Sequence, residues 1–515
     1  MSATELRGLV IVGNRGEVAE DPTCPPRRTG LADVGATAAL TALFYAVFPR
    51  GLPNYDGFYA LVWGGDLLAG RVPQYDAPVA SAPHPLAIAA AALTGLLGEG
   101  TEAGYRLLAV LAAAAMCVGL FRLGQEVAGW GVGLVAAALL ATRAPFLESV
   151  MRASFDMVAV ALMVWAAVLE VRRPRRGTAV LGLLALAGLL RPEAWLYAGV
   201  YWLWLAVGRV PPRRPAGVAF DWRGLVGVPA RSEWKRLAGL ACLVLVGPVV
   251  WTVTDYLVTG DPSWTRHQTE QVAAIRSLPT GLLSLPGELA RHLGGILWIS
   301  GLLGAAAGLV LTILRLRRPL ALPLALVVLS GLSVLALGVS GLPVLQRFLF
   351  LPAALACLFA GVAVFGWQRL DSRDPLRRPW QAGGFVLVAV MIALVSMDYP
   401  RIADIRSRVG SEDRVHRELR DLVRRPAARA ALQGCPAVYV PTGQPIPSLA
   451  LWSEVRPRRF SADLDRSARG ALVAPRSARA EALLLGRAGE LDVEAPSRHR
   501  PVARSGSWTI TSGCR

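Results

Sequence analysis

The chain has 515 residues, 54% of them hydrophobic and only 17% charged, with a mean hydropathy of +0.45 and a formal net charge of +18. Soluble chains of this length carry about 25% charged residues, so a soluble multidomain protein is excluded. Nucleic acid is not the partner that the charge points to. Ahead of position 398 most Arg and Lys residues sit in short loops between apolar runs, where they act as topology signals.

Residues 1–30 form a polar tail with no short apolar core of the kind a cleavable signal peptide needs. Apolar runs at 31–48, 103–121, 130–145, 154–171, 178–190, 193–208, 236–257, 292–314, 319–339, 347–367 and 380–397 predict eleven membrane-spanning helices. A further run, 85–97, reaches only about 20 Å as a helix against a hydrocarbon layer of about 30 Å. It is therefore predicted to lie along or partly within the outer interface. With the N-terminus inside, the cytoplasmic loops collect 18 Lys/Arg against 4 Asp/Glu, as the positive-inside rule requires. If 85–97 crossed, those loops would all move outside. The expected organisation is a cytoplasmic tail (1–30), a transmembrane domain (31–397) and an extracytoplasmic module (398–515) of a multi-pass cell-membrane protein.

The C-terminal module holds 21 Arg and 13 Asp/Glu, so it is soluble and basic. Helical character over 401–433 and strand-like pieces at 437–441, 471–475 and 507–511 predict a small α/β domain. No internal repeat is evident. The six cysteines lack metal-ligand spacing. Cys117, Cys242 and Cys357 fall in apolar runs and read as small core residues, whereas Cys435 and Cys514 can pair if the tail lies outside the cytoplasm.

This topology gathers the polar chemistry on the outer face. The stretch NYDGFYALVWGGD (54–66) follows the first span closely and carries Asp56 and Asp66, with His84 further along the same loop. Asp156 opens a later span, Arg191 and Glu193 interrupt an apolar stretch, and Arg347 flanks another span. Each has an ordinary reading. Asp56 and Asp156 suit helix N-caps, Asp66 a solvated surface position, and Arg191 with Glu193 a turn at the interface. Arg347 can snorkel to headgroups, and His84 between two prolines suits a structural role. Trp63, Trp195 and Trp298 fit an interfacial aromatic belt.

The order and common sidedness of NYDGFYAL, HPLAIAAAAL (84–93), RASFDMVAVAL (152–162), GLLRPEAWL (188–196) and RFLFLPAAL (347–355) resemble the GT-C superfamily of membrane glycosyltransferases, over roughly residues 31–370. In that superfamily an acidic residue in the first external loop is followed by a juxtamembrane helix, and the sugar donor is a polyprenyl phosphate. The resemblance implies a GT-C-like fold of about eleven transmembrane helices with external juxtamembrane helices. It also implies Asp56 as general base, with Asp156, Arg191, Glu193, Arg347 and His84 as substrate contacts. Arg266 and His267 in GDPSWTRHQTEQ (260–271) are further candidates for holding acceptor or phosphate. The Asp-Glu pair of some branches is absent, because Gly57 follows Asp56. No metal ligand is assigned, and a divalent metal stays possible through carboxylates on separate loops.

The chemistry is self-consistent. Glycosidases use two carboxyls because an alkoxide leaves poorly. A phosphate leaves without a proton, so one base on the acceptor hydroxyl suffices. The departing anion is met by arginine, whose planar fork matches phosphate. Partners are then a polyprenyl-phosphate-linked sugar of mannose or arabinose type, a glycan, lipid or protein acceptor, and membrane lipid. Two other readings stand beside it. A transporter or flippase for a lipid-linked or cell-envelope substrate would place ionisable groups at the membrane midplane between repeated halves. A non-catalytic scaffold would present the C-terminal module to a cell-wall partner.

Overall fold

The computed structural model describes residues 29–77, 79–207, 231–275, 306, 310, 321–342, 345–462, 469–485 and 496–514. The predicted span 292–314 falls almost entirely outside the described residues, as do Trp298 and nearly all of the N-terminal tail.

The described helices are α1 (Thr29–Val47), α2 (Tyr55–Leu68), α3 (Pro85–Gly95), α4 (Thr101–Ala128), α5 (Trp130–Ala141), α6 (Ala144–Met151), α7 (Asp156–Arg172), α8 (Thr178–Gly188) and α9 (Glu193–Val207). They continue with α10 (Arg231–Thr259), α11 (Trp264–Ile275), α12 (Ala321–Val339), α13 (Phe350–Phe365) and α14 (Arg377–Val423). Among the described residues five helices are long and apolar enough to cross a membrane, or six if the bent pair α5 and α6 counts as one span. The bend is 62°. It falls at Thr142-Arg143, just ahead of Pro145, which has no N–H to give to the Ala141 carbonyl and whose ring would clash with it in a continuous helix. Two apolar helices, α3 and α8, have 11 residues each. That length, about 16 Å, is too short to cross alone. The interfacial expectation for 85–97 rested on this limit, and the same limit applies to the 178–190 run that was counted as a span.

The core sits where α4 packs against α1, α5 and α7, with α13 against α5 and α8 against α7 and α10. Tyr105, Met116, Leu120 and Leu123 of α4 are fully buried there. Trp63 is 1% exposed and donates its indole N–H to the Gln74 carbonyl at 3.2 Å, so it belongs to the core and not to an interfacial belt. Asp66, expected to be solvated, is buried and bonded to Arg71 at 2.8 Å. Of the three apolar-run cysteines, Cys117 and Cys357 are buried and Cys242 is exposed.

α14 is a single helix of 47 residues, about 70 Å long. It runs through position 398 without interruption, so the expected boundary between membrane and soluble parts falls inside a helix. Its far half buries Ile405, Val409, Val415, Leu419 and Leu422 in the C-terminal module. There a five-stranded sheet has the order β2-β1-β3-β5-β4, built from β1 (Val438–Tyr439), β2 (Phe460–Ser461), β3 (Ala471–Pro475), β4 (Arg500–Arg504) and β5 (Trp508–Ser512). β1 is parallel to β2 and β3, while β5 is antiparallel to β3 and β4. The three strands anticipated from sequence are β1, β3 and β5. Trp508 is fully buried and donates to the Val415 carbonyl of α14 at 3.0 Å. Cys435 and Cys514 form a disulfide.

The module docks on the helices that carry the site. Trp452 donates to Glu102 of α4 at 2.8 Å, and Arg152 grips Glu412 through two bonds of 2.7 and 3.0 Å. The His416 ring stacks on Phe58 of α2 at 5.7 Å.

Candidate functional site

Two backbone links bring the candidate residues together. The amide of Leu52 donates to the Met151 carbonyl at 3.1 Å, which sets the entry to α2 beside the entry to α7. Gly51 allows this approach, since a Cβ there would lie 2.3 Å from the Met151 carbonyl oxygen. The amide of Leu86 donates to the Leu189 carbonyl at 3.3 Å, setting the start of α3 against the break between α8 and α9.

Asp56 is the second residue of α2 and is not its cap. The cap is Asn54, whose side-chain oxygen accepts from the Gly57 amide at 2.8 Å. With the cap supplied by Asn54, the Asp56 carboxylate is left for another partner. It meets Arg347, whose Nη1 lies 2.5 Å from Oδ2. Arg347 sits on a single turn of 3-10 helix, Gln346–Leu349, that leads into α13. Gly57 is closely fitted: a Cβ would stand 3.0 Å from the Asn54 side chain and 3.1 Å from the Tyr105 ring, so these neighbours would have to give by a few tenths of an ångström.

Asp156 opens α7 without capping it. Its Oδ2 accepts from the Ser154 hydroxyl at 2.8 Å, and its Oδ1 lies 3.5 Å from Arg191 Nε. Arg191 occupies the α8–α9 break, is 4% exposed, and is 3.9 Å from Glu193. The Phe348 ring is shared by both guanidiniums, Arg191 at 4.7 Å and Arg347 at 5.8 Å from its centroid. These are cation–π distances that fix the pair of cations side by side.

A small cleft of ≈ 20 Å³ is lined by Asp56, His84, Tyr105, Ser154, Asp156 and Leu190, among others. His84 contacts the Trp251 ring edge-on at 5.6 Å, and its Nδ1 is sealed from solvent with no hydrogen-bond partner. Burial pushes the imidazole down to about 4, and the charge of Asp56 restores little of this because Arg347 opposes it. His84 is thus neutral at physiological pH. Glu193 Oε2 and Arg347 Nε are likewise buried and unpartnered. Sealed polar atoms are normally satisfied. Three such atoms lie on residues of this cluster.

Arg266 and His267 are not part of this cluster. Both are exposed on α11, Arg266 paired with Glu270 at 3.0 Å and His267 with Asp261 at 2.7 Å. Their buried neighbour Gln268 instead donates to the Tyr75 and Ala80 carbonyls at 3.1 Å each and anchors the loop that leads to His84. Trp195 is half-buried and donates to the Gly188 carbonyl at 2.9 Å. Sequence reasoning missed Ser154, Phe348 and Asn54. A Ser two residues before Asp156, and an Asn two residues before Asp56, are local signals that would have found the first and last. Phe348 had none. Among the described residues no three His, Cys, Asp or Glu side chains stand together as a metal-binding group. In the cleft, Asp56 and Asp156 each face a guanidinium.

By sequence, no protein-family model and no curated protein matches the chain. By structure it is similar to ArnT from Cupriavidus metallidurans bound to undecaprenyl phosphate, at 12% identity and TM-score 0.55, over 94% of this chain and 97% of that one. It is also similar to the archaeal oligosaccharyltransferase AglB from Archaeoglobus fulgidus in complex with an inhibitory peptide and a dolichol-phosphate. That match has 11% identity and TM-score 0.50, over 87% of this chain and 70% of that one. A second Archaeoglobus fulgidus oligosaccharyltransferase structure, complexed with Zn and sulfate, gives 11% identity and TM-score 0.50, over 86% and 68%. With its apolar helices, its small C-terminal sheet and these neighbours, the chain has the GT-C fold.

Proposed function

We propose that the protein is an inverting glycosyltransferase that moves a sugar from a polyprenyl-phosphate donor to an acceptor hydroxyl, on the extracytoplasmic side of the cell membrane. The observation that carries this reading is the convergence of five separate segments: Asp56, His84 and Asp156 line one cleft, Arg347 and Arg191 pair with its two carboxylates, and Glu193 lies 3.9 Å from Arg191. The neighbours' binding of undecaprenyl phosphate and dolichol-phosphate supports a lipid-phosphate donor.

Asp56 takes the proton from the acceptor O–H as that oxygen bonds to the sugar's anomeric carbon. The bond from that carbon to the phosphate oxygen breaks, and its electron pair leaves on the phosphate, which needs no proton. Arg347 and Arg191 receive the developing anion with fixed positive charge. Asp156, held by Ser154 and Arg191, orients Arg191. His84 offers a neutral nitrogen to a hydroxyl. Sidedness is supported by α7, which has Asp156 at one end and the basic stretch Arg172–Arg176 at the other. The positive-inside rule assigns the basic end to the cytoplasm and the cleft to the opposite face.

The test is independent of which sugar is moved, because every such reaction releases polyprenyl phosphate. Purified protein in nanodiscs is given a panel of polyprenyl-phosphate sugars with envelope extract as acceptor. D56N is expected to lower release by about 10²–10⁴-fold with an unchanged melting profile. Undiminished release by folded D56N would remove Asp56 as base. No release from any donor would count against the transferase reading itself.

A further inference from the structure

The reaction proposed above needs Asp56 as a free base and Arg347 as a free cation, yet the structure joins them at 2.5 Å. A carboxylate oxygen held by a guanidinium is not free to meet the acceptor hydroxyl. We propose that the Asp56–Arg347 pair is a latch opened by the donor. The donor's phosphate replaces Asp56 on the Arg347 guanidinium, and the released carboxylate then serves the acceptor hydroxyl. This inference rests on the transferase reading and adds to it an obligatory order, with donor first and acceptor second.

Three observations favour exchange over a permanent ion pair. Arg347 offers a second donor on the same guanidinium, the buried and unpartnered Nε, and an Nε–Nη fork matches two phosphate oxygens better than one carboxylate oxygen. The two arginines also differ in exposure. The Arg347 side chain is 24% exposed, whereas that of Arg191 is 5% exposed. Arg191 is therefore the rooted cation and Arg347 the one with room to turn. Finally, Arg347 stands on a single 3-10 turn, and Phe348 beside it carries Arg191 at 4.7 Å, so a phosphate that draws Arg347 off Asp56 finds a second guanidinium already in place.

The latch is tested by binding undecaprenyl phosphate to the full chain in nanodiscs. D56N, which leaves no pair to break, is expected to bind on the order of tenfold tighter than wild type. D66N removes the same charge from the same helix, α2, at a carboxylate paired with Arg71 and outside the cleft, and is expected to change affinity by less than about threefold. Equal tightening in both variants would mean a charge effect alone and would overturn the latch, as would unchanged affinity in D56N. A cryo-EM structure of the wild-type complex gives an independent reading. The latch requires Arg347 beyond hydrogen-bonding distance of Asp56 with a phosphate oxygen on its guanidinium, and an intact pair in the liganded protein would overturn it whatever the variants do. Binding with an intact pair removes only the latch. A folded wild type that binds no polyprenyl phosphate removes the transferase reading, and the latch with it.

Discussion

His84 is expected to make the protein acid-sensitive in a defined window. Its imidazole is held at about 4 by burial, against an ordinary value of 6.5. Above 6.5 the folded and unfolded chains both carry it neutral, and it contributes nothing to the pH dependence. Between 6.5 and 4 the unfolded chain binds a proton that the folded chain refuses, so stability falls as pH falls. The loss from this group is about 2 kcal/mol at pH 5 and about 3 kcal/mol at pH 4. His416, whose imidazole is also lowered by burial, adds a loss of the same sign from its place against Phe58. The measurement is thermal melting in detergent from pH 8 to pH 4 for wild type, H84Q, H416Q and the double variant. Glutamine keeps a hydrogen-bonding group at each site and does not titrate. Wild type is expected to lose stability relative to H84Q only below pH 6.5, with the gap widening to pH 4. Parallel curves over the whole range would refute a sealed His84 and place the ring in free exchange with solvent.

Arg191 is the cation whose loss should harm folding most. R191A leaves Asp156 and Glu193 in a largely buried place with no guanidinium, at a cost of about 3–5 kcal/mol. R191A/D156N should melt above R191A, and a double variant no better than the single would show that the pair is not what Arg191 supports. In the C-terminal module, C514S opens the Cys435–Cys514 disulfide, which spans 79 residues. A cost of about 2–4 kcal/mol is expected. Limited proteolysis should cut the tail of C514S faster than that of wild type, and equal rates would refute a stabilising bridge.

What the sequence determined by itself is what local pattern can carry. Runs of apolar residues marked a helical membrane protein, though five or six of the described helices, against eleven expected spans, are long and apolar enough to cross; the short length of 85–97 matched a helix of 11 residues. Alternation in the tail gave β1, β3 and β5. The candidate residues Asp56, His84, Asp156, Arg191, Glu193 and Arg347 were legible as polar groups at helix ends, where charge is tolerated next to a bilayer. Only the tertiary structure decided which of them meet. Asp56 and Arg347 are 291 positions apart, and no spacing encodes their 2.5 Å contact. That contact depends on where the Gln346–Leu349 turn meets the start of α2, and on Asn54 having taken the capping role that Asp56 was free to take. The same limit explains Asp66 and Trp63, which read as surface residues and are buried. It explains Arg266 and His267 too, which had suitable chemistry and stand on the exposed side of α11. Periodicity and composition report how each segment relates to water and lipid. The pairing of charges depends on how segments pack over long sequence distances, and packing is a property of the whole chain.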